Sequence, residues 1–476
     1  MQSIAAPGSL RATLARGRRP AEPRPLAMAA ALALLAFGAN MASPLYPGYQ
    51  ERLGFDDLTL TLIYAVYAAV SVPALLVLGP LGDRIGRVRM VRAGLAVAAL
   101  GSVCFAIGDA TAWLVVGRVL QGVALGAATG AGMAVLAGTP SRTRRRRVAA
   151  AGALAFLVGT AAGPGLTGLL ADLVPAPYAT PHLVHAGLVA AVYAWLGPVP
   201  GPAPGVVLRG RPTAVPQLPT RDRGPFLAAM ANGFVSWAVV GLFLGLVPSV
   251  LTRASGDVGT TVLGAVAALV VLASLPAQAL LARLGAGRAQ LAGLALLGGG
   301  LVVLVTSGAV GPLPLVLATA VVAGLGHGLA YGGAHGVVET IAVGDRAAGL
   351  TATAYVVYYL GAGIPTIAVG VLATVVPLGV ATGALAGLLL AATAAAWCLT
   401  RMVSTAGGRV HRRADADDSP LGDVAALITD VPRGIHLANG ILHGRRAGTG
   451  AALRTLPKRS RNSAALARSG ERPRVR

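Results

Sequence analysis

Long apolar stretches separated by short polar segments dominate residues 26–400 of this chain. A helix needs about 20 residues to cross the ~30 Å hydrocarbon core of a bilayer, and windows of that length identify twelve candidate spans. The sixth is the shortest. In chain order, spans 1 to 12 cover residues 26–46, 58–79, 90–108, 112–136, 148–171, 183–199, 226–250, 260–282, 289–308, 315–338, 350–375 and 378–400. The pattern predicts an all-α membrane protein with twelve transmembrane helices.

The two halves of this pattern resemble each other. At an offset of 202 residues, Gly122, Gly126 and Gly130 of span 4 align with three glycines of span 10, and Gly159 of span 5 aligns with Gly361 of span 11. The alignment predicts two six-helix repeats. Glycine at every fourth position also leaves one face of a helix bare. We expect this stripe to allow close helix packing, while lining a substrate path is the alternative.

The repeat divides the chain into five predicted regions. These are a basic cytoplasmic N-terminus at 1–25, a six-helix bundle at 26–199, a cytoplasmic linker at 200–225, a second bundle at 226–400 and a tail at 401–476. The tail has no aromatic residue and an excess of basic residues. We therefore expect it to be disordered and to lie against an anionic membrane surface.

Composition and charge agree with a membrane protein and orient it. Apolar residues make up 55% of the chain and charged residues only 12%, too few for a soluble surface of this size. The side shared by both termini carries 21 Lys and Arg before and between spans; the other carries two, Arg52 and Arg253. Because cytoplasmic loops accumulate these residues, we predict cytoplasmic termini in the cell membrane. Topology then accounts for the net charge of +22 without a nucleic-acid partner.

Motifs for enzymatic or cofactor chemistry are lacking in the sequence. The two cysteines lie in separate apolar stretches, and no H-E-x-x-H, P-loop or G-x-S-x-G pattern occurs. We therefore expect no metal, no cofactor, no enzymatic activity and no ATP-driven pumping. The expected partners are the lipid bilayer and a small-molecule substrate, and we expect the protein to be a monomer.

Three motifs carry chemistry that the hydrophobic pattern does not explain. The first, GPLGDRIGRVR, follows span 2 and places Asp83 four residues before Arg87, where the two can pair on a helix. Its members are Gly79, Leu81, Asp83, Arg84, Gly86 and Arg87. The second, in span 4, comprises Arg118, Gln121, Gly122 and Gly126. The third, in span 5, comprises Gly152, Gly159, Gly163, Pro164 and Gly168.

These motifs, in this order and in these spans, resemble those of the major facilitator superfamily, in particular its drug:proton antiporters. The resemblance covers residues 26–400. It implies a secondary transporter that works by alternating access, with the first motif as a cytoplasmic gate and the span 5 motif favouring proton-coupled efflux of amphiphilic or drug-like compounds. Uptake or exchange of a metabolite is an alternative, and a non-transporting membrane sensor or scaffold is a more remote one.

Charged and titratable groups within the spans are few enough to treat as coupling candidates. Arg118 should face the protein interior because a charge facing lipid is costly. No Asp or Glu lies deep in a span, and span 1 offers Asn40 where such antiporters carry an acid. His327 is then the best candidate proton carrier, with Tyr331 on the same helix face. A packed, hydrogen-bonded neutral histidine is the alternative.

Several aromatic residues could form a wall for an apolar or amphiphilic substrate. They stand out because only 4% of the chain is aromatic. Packing within the bundle is the alternative role for them. The candidates are Tyr64, Tyr67, Trp237, Tyr355, Tyr358 and Tyr359.

Overall fold

The computed structural model of the protein describes residues 25–138, 142–198, 215–256, 258–306 and 312–406. Residues 1–24, most of the predicted linker and the predicted disordered tail beyond residue 406 lie outside the described residues. Within the described ranges, every regular element is a helix.

The helices coincide with the twelve predicted spans. In order, they are Pro25–Asn40 with Tyr46–Leu53, Asp57–Ile85, Arg87–Ala106, Thr111–Ala137, Arg142–Leu173, Thr180–Leu196, Arg223–Gly245 with Val247–Ser255, Thr260–Leu272 with Ser274–Leu284, Ala286–Thr306, Leu313–Ile341, Ala347–Leu372 and Leu378–Ala406. Eleven spans in the described residues are long and apolar enough to cross a membrane. Span 6 has 17 helical residues, or roughly 25 Å at 1.5 Å per residue. The predicted all-α membrane fold is confirmed.

Three helix ends differ from their predicted positions. Span 2 continues to Ile85, so Gly79 and Gly82 are helical and only Gly86 makes the turn into span 3. Gly86 has φ 106°, a conformation that side-chain-bearing residues avoid. Span 10 includes Glu339, which the sequence placed after the span. Span 12 ends at Ala406, so the first six residues of the predicted tail are helical.

The glycine stripes pack equivalent helices together in both repeats. A Cβ atom built on Gly126 would lie 2.5 Å from the carbonyl oxygen of Ser71 in span 2. The equivalent atom on Gly328 would lie 2.6 Å from the carbonyl oxygen of Ser274 in span 8. Such distances leave no room for a side chain, so the backbones of spans 4 and 10 rest directly on spans 2 and 8.

Spans 5 and 11 repeat the same arrangement against spans 1 and 7. Gly159 lies against the backbone of Ala33, and its equivalent Gly361 lies against the backbone of Phe234. The two repeats therefore share packing contacts as well as a sequence pattern. Close packing is the role of most stripe glycines, while Gly332, at the end of the span 10 stripe, also lines a cavity between the halves.

The two halves touch through spans 2 and 11 and through spans 5 and 8. A Cβ on Gly363 of span 11 would lie 3.9 Å from the Cβ of Ala65 in span 2. Gly264 of span 8 lies against the backbone of Pro164 in span 5. These contacts gather at the end of the bundle where spans 2 and 8 begin and spans 5 and 11 end. We call it the closed end.

The packing of span 4 on span 2 predicts opposite results for two glycines of one stripe. Gly126→Ala should destabilise the protein by about 1–3 kcal/mol, because the added methyl group overlaps the Ser71 backbone. Gly130→Ala is the matched control, since its nearest neighbour would be 3.9 Å away, at Leu75. Thermal unfolding of both purified variants in detergent measures the difference. Equal melting temperatures would contradict the packing role.

Candidate functional site

A cavity lies between the two halves and encloses about 160 Å³ that water can occupy. Its lining comes from spans 1, 2, 4 and 5 of the first half and spans 7, 8, 10 and 11 of the second. Five of the six candidate wall residues line it: Tyr67, Trp237, Tyr355, Tyr358 and Tyr359. Tyr64 instead packs behind the wall, edge-on to Tyr67 with their ring centroids 5.6 Å apart.

A column of stacked rings runs along span 10 beside this cavity. His327 and Tyr331 stack at 5.3 Å between ring centroids, and Tyr331 and His335 stack at 5.8 Å. His327 is buried, with Nδ1 3.2 Å from the carbonyl oxygen of Ser236. His335 lines the cavity, and its Nε2 lies 3.4 Å from a carboxylate oxygen of Glu339. The column thus links the buried His327 to a partly exposed acid.

Arg118 is completely buried in the first half, as the sequence predicted from its cost in lipid. It donates hydrogen bonds to the carbonyl oxygen of Ala39 at 2.5 Å, to Gln121 Oε1 at 3.1 Å and to the hydroxyl of Tyr46. Its guanidinium carbon lies 5.3–5.9 Å from the ring centroids of four aromatic residues, Tyr46, Tyr64, Tyr67 and Phe105. Neutral dipoles and ring faces therefore surround the charge.

Asn40 follows directly after Ala39, which accepts a hydrogen bond from Arg118. Asn40 lines the cavity, while its Nδ2 donates a 2.8 Å hydrogen bond to the carbonyl oxygen of Ala36 within span 1. Asn40 thus connects the cavity to the buried arginine through adjacent residues of one broken helix.

Two buried histidines of span 6 near Arg118 escaped the sequence interpretation. His182 Nε2 lies 3.2 Å from the Tyr49 hydroxyl, and the His182 ring stacks on Phe105 at 4.8 Å. His185 has Ser102 Oγ at 2.7 Å from Nδ1 and the carbonyl oxygen of Leu34 at 2.9 Å from Nε2. Two histidines three residues apart in an apolar helix were the feature of the sequence that could have identified them. Their partners are too distant in the sequence to be inferred from it.

Asp172, at the end of span 5, holds the start of span 8 in the other half. Its carboxylate accepts backbone N–H hydrogen bonds from Thr260 at 3.1 Å and Thr261 at 2.7 Å, and one from the Thr260 hydroxyl. An acid at a helix N-terminus satisfies free N–H groups and opposes the positive end of the helix dipole. Here the capping carboxylate belongs to the first half and the capped helix belongs to the second.

A second polar contact between the halves joins spans 2 and 7. Arg253 binds both carboxylate oxygens of Asp57, at 2.7 and 2.5 Å. Gln50 donates to Asp57 at 2.9 Å and accepts from Ser249 at 3.2 Å. We call this contact and the Asp172 cap the closed-end lock. Its members are Asp57, Arg253, Asp172, Thr260 and Thr261.

The predicted gate residues lie at the opposite end, where Gly86 joins spans 2 and 3. Arg87 Nε donates to Asp83 Oδ1 at 2.7 Å, and Arg87 Nη1 lies 3.4 Å from the carbonyl oxygen of Ala134 in span 4. These contacts stay within the first half. Leu81 packs at the edge of the core, and Arg84 lies in the last turn of the span 2 helix.

Span 5 carries the antiporter-like motif on two packed faces. Gly152 faces Leu136 of span 4, and Gly163 would place a Cβ 2.5 Å from the carbonyl oxygen of Phe37 in span 1. Gly168 lies against Thr260 of span 8. The motif thus lets span 5 contact its own half on one face and the other half on the second.

Fold and cavity together define a helical membrane transport protein. The Major Facilitator Superfamily model matches residues 28–366. The chain belongs to the major facilitator superfamily, as its motifs indicated.

Relatives with assigned names are distant and match only in part. The chain is 27% identical over 228 residues to Multidrug resistance protein MdtL of Klebsiella pneumoniae, covering 45% of this chain and 55% of that protein. It is 28% identical over 103 residues to the Bacillibactin exporter of Bacillus subtilis, covering 21% of this chain and 26% of the exporter. The chain therefore matches about half the length of MdtL and less of the exporter.

A solved structure confirms the fold. A POT family transporter in complex with 5-aminolevulinic acid superposes with a TM-score of 0.65 and 13% identity. The match covers 81% of this chain and 97% of that one.

The hydrogen bonds of Arg118 predict that charge alone cannot replace it. Arg118→Lys should lose most of the transport activity and resemble Arg118→Ala. A compact ammonium cannot supply the planar fork that reaches Ala39, Gln121 and Tyr46 together. Uptake or export by equal amounts of the three folded proteins in vesicles measures this. Full activity of the lysine variant would contradict the prediction.

The closed-end lock predicts that Asp172→Ala favours opening at that end. Spin labels on Glu51 and Ser255, in a background without native cysteines, should show a distance distribution shifted to longer values. Asp56→Ala is the matched control, because Asp56 caps Thr59 at 2.8 Å within its own half. An unchanged distribution for Asp172→Ala, or the same shift in both variants, would contradict the lock.

Proposed function

We propose that this transporter is a secondary active exporter that moves small amphiphilic or drug-like compounds by alternating access. The observation that carries the proposal is the aromatic cavity between two repeats that meet at the closed end through separable polar contacts. Rocking of one half against the other would expose such a cavity to each side in turn. One chain supplies both halves of the cavity, so a monomer suffices.

Two independent features support export. The span 5 motif resembles that of antiporters, and the names of two partial relatives, Multidrug resistance protein MdtL and the Bacillibactin exporter, describe resistance and export. The distribution of Lys and Arg favours cytoplasmic termini. In that orientation the closed end faces outward, and the cavity reaches Met133 and His335 toward the cytoplasm. A state closed to the outside is the one that loads a compound for export.

Alternating access also gives the predicted gate a role. The Asp83 and Arg87 pair lies within the first half while the closed-end lock is formed. We propose that the gate residues contact the second half when the lock opens, so that one end of the bundle is held at a time. Asp83→Asn should therefore slow transport without unfolding, because a surface pair of this kind contributes less than about 1 kcal/mol to stability.

We propose protons as the coupling ion and the span 10 column as the coupling element. No carboxylate lines the cavity in the described residues. Imidazole is the side chain whose ordinary pKa lies nearest neutrality. His327 and His335 stack on the two faces of Tyr331, and Glu339 lies beside His335. A proton entering at Glu339 would thus meet two imidazoles along one helix face.

The test of function is compound accumulation in matched cells. A panel of amphiphilic compounds is loaded into cells that express the protein, the folded Asp83→Asn variant or neither, with and without an uncoupler of the proton gradient. Export predicts that cells expressing the unmodified protein accumulate less compound than cells with the variant or with neither. This difference should disappear when the uncoupler collapses the proton gradient. Higher accumulation in expressing cells would instead establish uptake.

Proton coupling through span 10 predicts a specific defect for His327→Gln. The variant should lose uphill transport while downhill exchange and substrate binding persist, because the amide hydrogen bonds but takes up no proton. His185→Gln is the matched control, since His185 lies outside the cavity lining and bonds to Ser102 and Leu34. Uphill transport by His327→Gln with an unchanged pH dependence would rule out His327 as the carrier.

A further inference from the structure

The two repeats contribute chemically different walls to the cavity. The offset of 202 residues that relates spans 4 and 5 to spans 10 and 11 also relates lining residues to one another. At several equivalent positions the first half supplies an apolar side chain and the second a polar aromatic one, while Thr160 and Ala362 reverse this order. Three such pairs, with the first-half residue given first, are Met133 and His335, Ala153 and Tyr355, and Phe156 and Tyr358.

Three polar side chains of the first-half wall, Asn40, Thr129 and Thr160, already donate hydrogen bonds within that half. The hydroxyls of Thr129 and Thr160 donate to the carbonyl oxygens of Leu125 and Phe156, one turn earlier, at 2.7 and 2.9 Å. Their hydrogen-bonding capacity is therefore partly used. Much of this wall presents methyl groups and a phenyl ring to a ligand.

Polar groups of the second-half wall include buried atoms without a partner. Gln278 Oε1, Trp237 Nε1, His335 Nδ1 and the Tyr358 hydroxyl make no hydrogen bond, and all four residues line the cavity. Gln278 and Tyr358 are 4% and 2% exposed. Burying polar atoms unpaired is unfavourable, and here the set includes an N–H donor and a carbonyl acceptor. The four atoms are also inaccessible to water in this conformation, so a hydrogen-bonding ligand would satisfy them once their side chains turn toward it.

Gln278 is not required by the packing of the repeat. It faces Gly332 in the second half, at 3.7 Å from where a Cβ would lie, and Leu75 faces the equivalent Gly130 in the first half at 3.9 Å. An apolar side chain therefore fills the same position in the repeat. The amide of Gln278 is a feature of the second wall alone, which points to a role toward a ligand.

The cavity also lacks a counter-charge. Among the described residues that line it, none is Asp, Glu, Lys or Arg. The nearest acid along span 10 is Glu339, one turn beyond His335 and beside it. A ligand with a formal charge would leave water for aromatic faces and neutral dipoles, and transfer of an unpaired charge into such a site is costly.

We propose that the cavity binds an uncharged amphipathic molecule whose hydrogen-bonding aromatic face lies on spans 7, 8, 10 and 11 and whose apolar face lies on spans 4 and 5. Gln278 is the residue that sets this selectivity, because it places a neutral amide where a carboxylate of the same shape would attract a cation. The inference rests on the proposed function, since it assigns the substrate class of the same cavity.

The test compares two ligands of nearly equal shape and different charge. The neutral ligand is acetyl-(dimethylamino)naphthalene, and the cation is the trimethylammonium salt made from it by N-methylation. Binding to purified protein in nanodiscs is measured directly for the neutral fluorophore and by competition for the cation. The wild type should bind the neutral compound about tenfold more tightly, and Gln278→Glu should raise affinity for the cation about tenfold.

Two further variants separate local chemistry from general damage. Gln290→Glu adds the same charge at another buried amide, outside the cavity lining, and should leave the affinity ratio unchanged. Tyr358→Phe removes one unpaired hydroxyl, keeps the ring and should weaken the neutral ligand several-fold. Wild-type preference for the cation, equal effects of the two Glu variants, or no binding of either ligand would overturn the proposal.

The binding and transport experiments distinguish failure of the cavity assignment from failure of the proposed export. If the affinities follow the prediction but cells expressing the protein do not export the neutral ketone, the proposed export is wrong and the cavity assignment stands. If cells export the ammonium compound in preference to the ketone, the assignment is overturned and export stands.

Discussion

Direct backbone packing at glycines is the constraint on which the rest of the structure depends. In each repeat, one helix pair meets at Gly126 or Gly328 and another at Gly159 or Gly361, with no space for a side chain. These contacts make each half a tightly packed unit. The larger side chains of the same helices are left to face the space between the halves. The cavity is therefore a consequence of how the glycine faces are used.

Charged groups are distributed unevenly between the ends and the interior of the bundle. Exposed ion pairs and caps lie at the ends of the bundle, where water screens them and where they can separate during transport. Arg118, the fully buried arginine of the described residues, is held by neutral acceptors and ring faces in the first half. The middle of the cavity is left uncharged, and the polar aromatic groups of the second half supply its chemistry.

Much of this organisation could be predicted from the sequence. Apolar stretches located the spans, and the regular glycines revealed the repeat because backbone packing needs them at fixed helical positions. Helical spacing also placed His327 and Tyr331 on one face. The same spacing could not separate Tyr64 from Tyr67, since both rings lie near Arg118 and only Tyr67 also lines the cavity.

Contacts between distant segments could not be predicted from the sequence pattern. The cap of Asp172 on Thr260 and the pairing of His182 with Tyr49 join residues that no local periodicity relates. The asymmetry of the cavity walls could be inferred in part from the sequence. It follows from the offset that revealed the repeat, because that offset places Phe156 on Tyr358, but only the structure identifies both as lining residues.

Cross-linking the closed end tests the central claim, that the two halves separate there during transport, most directly. Cysteines replacing Ala65 and Gly363 would have Cβ atoms about 3.9 Å apart, within the range of a disulfide. In a background without the native cysteines, oxidation should stop transport, reduction should restore it, and ligand binding to the cavity should persist throughout. Transport at the full rate with the disulfide formed would contradict the account.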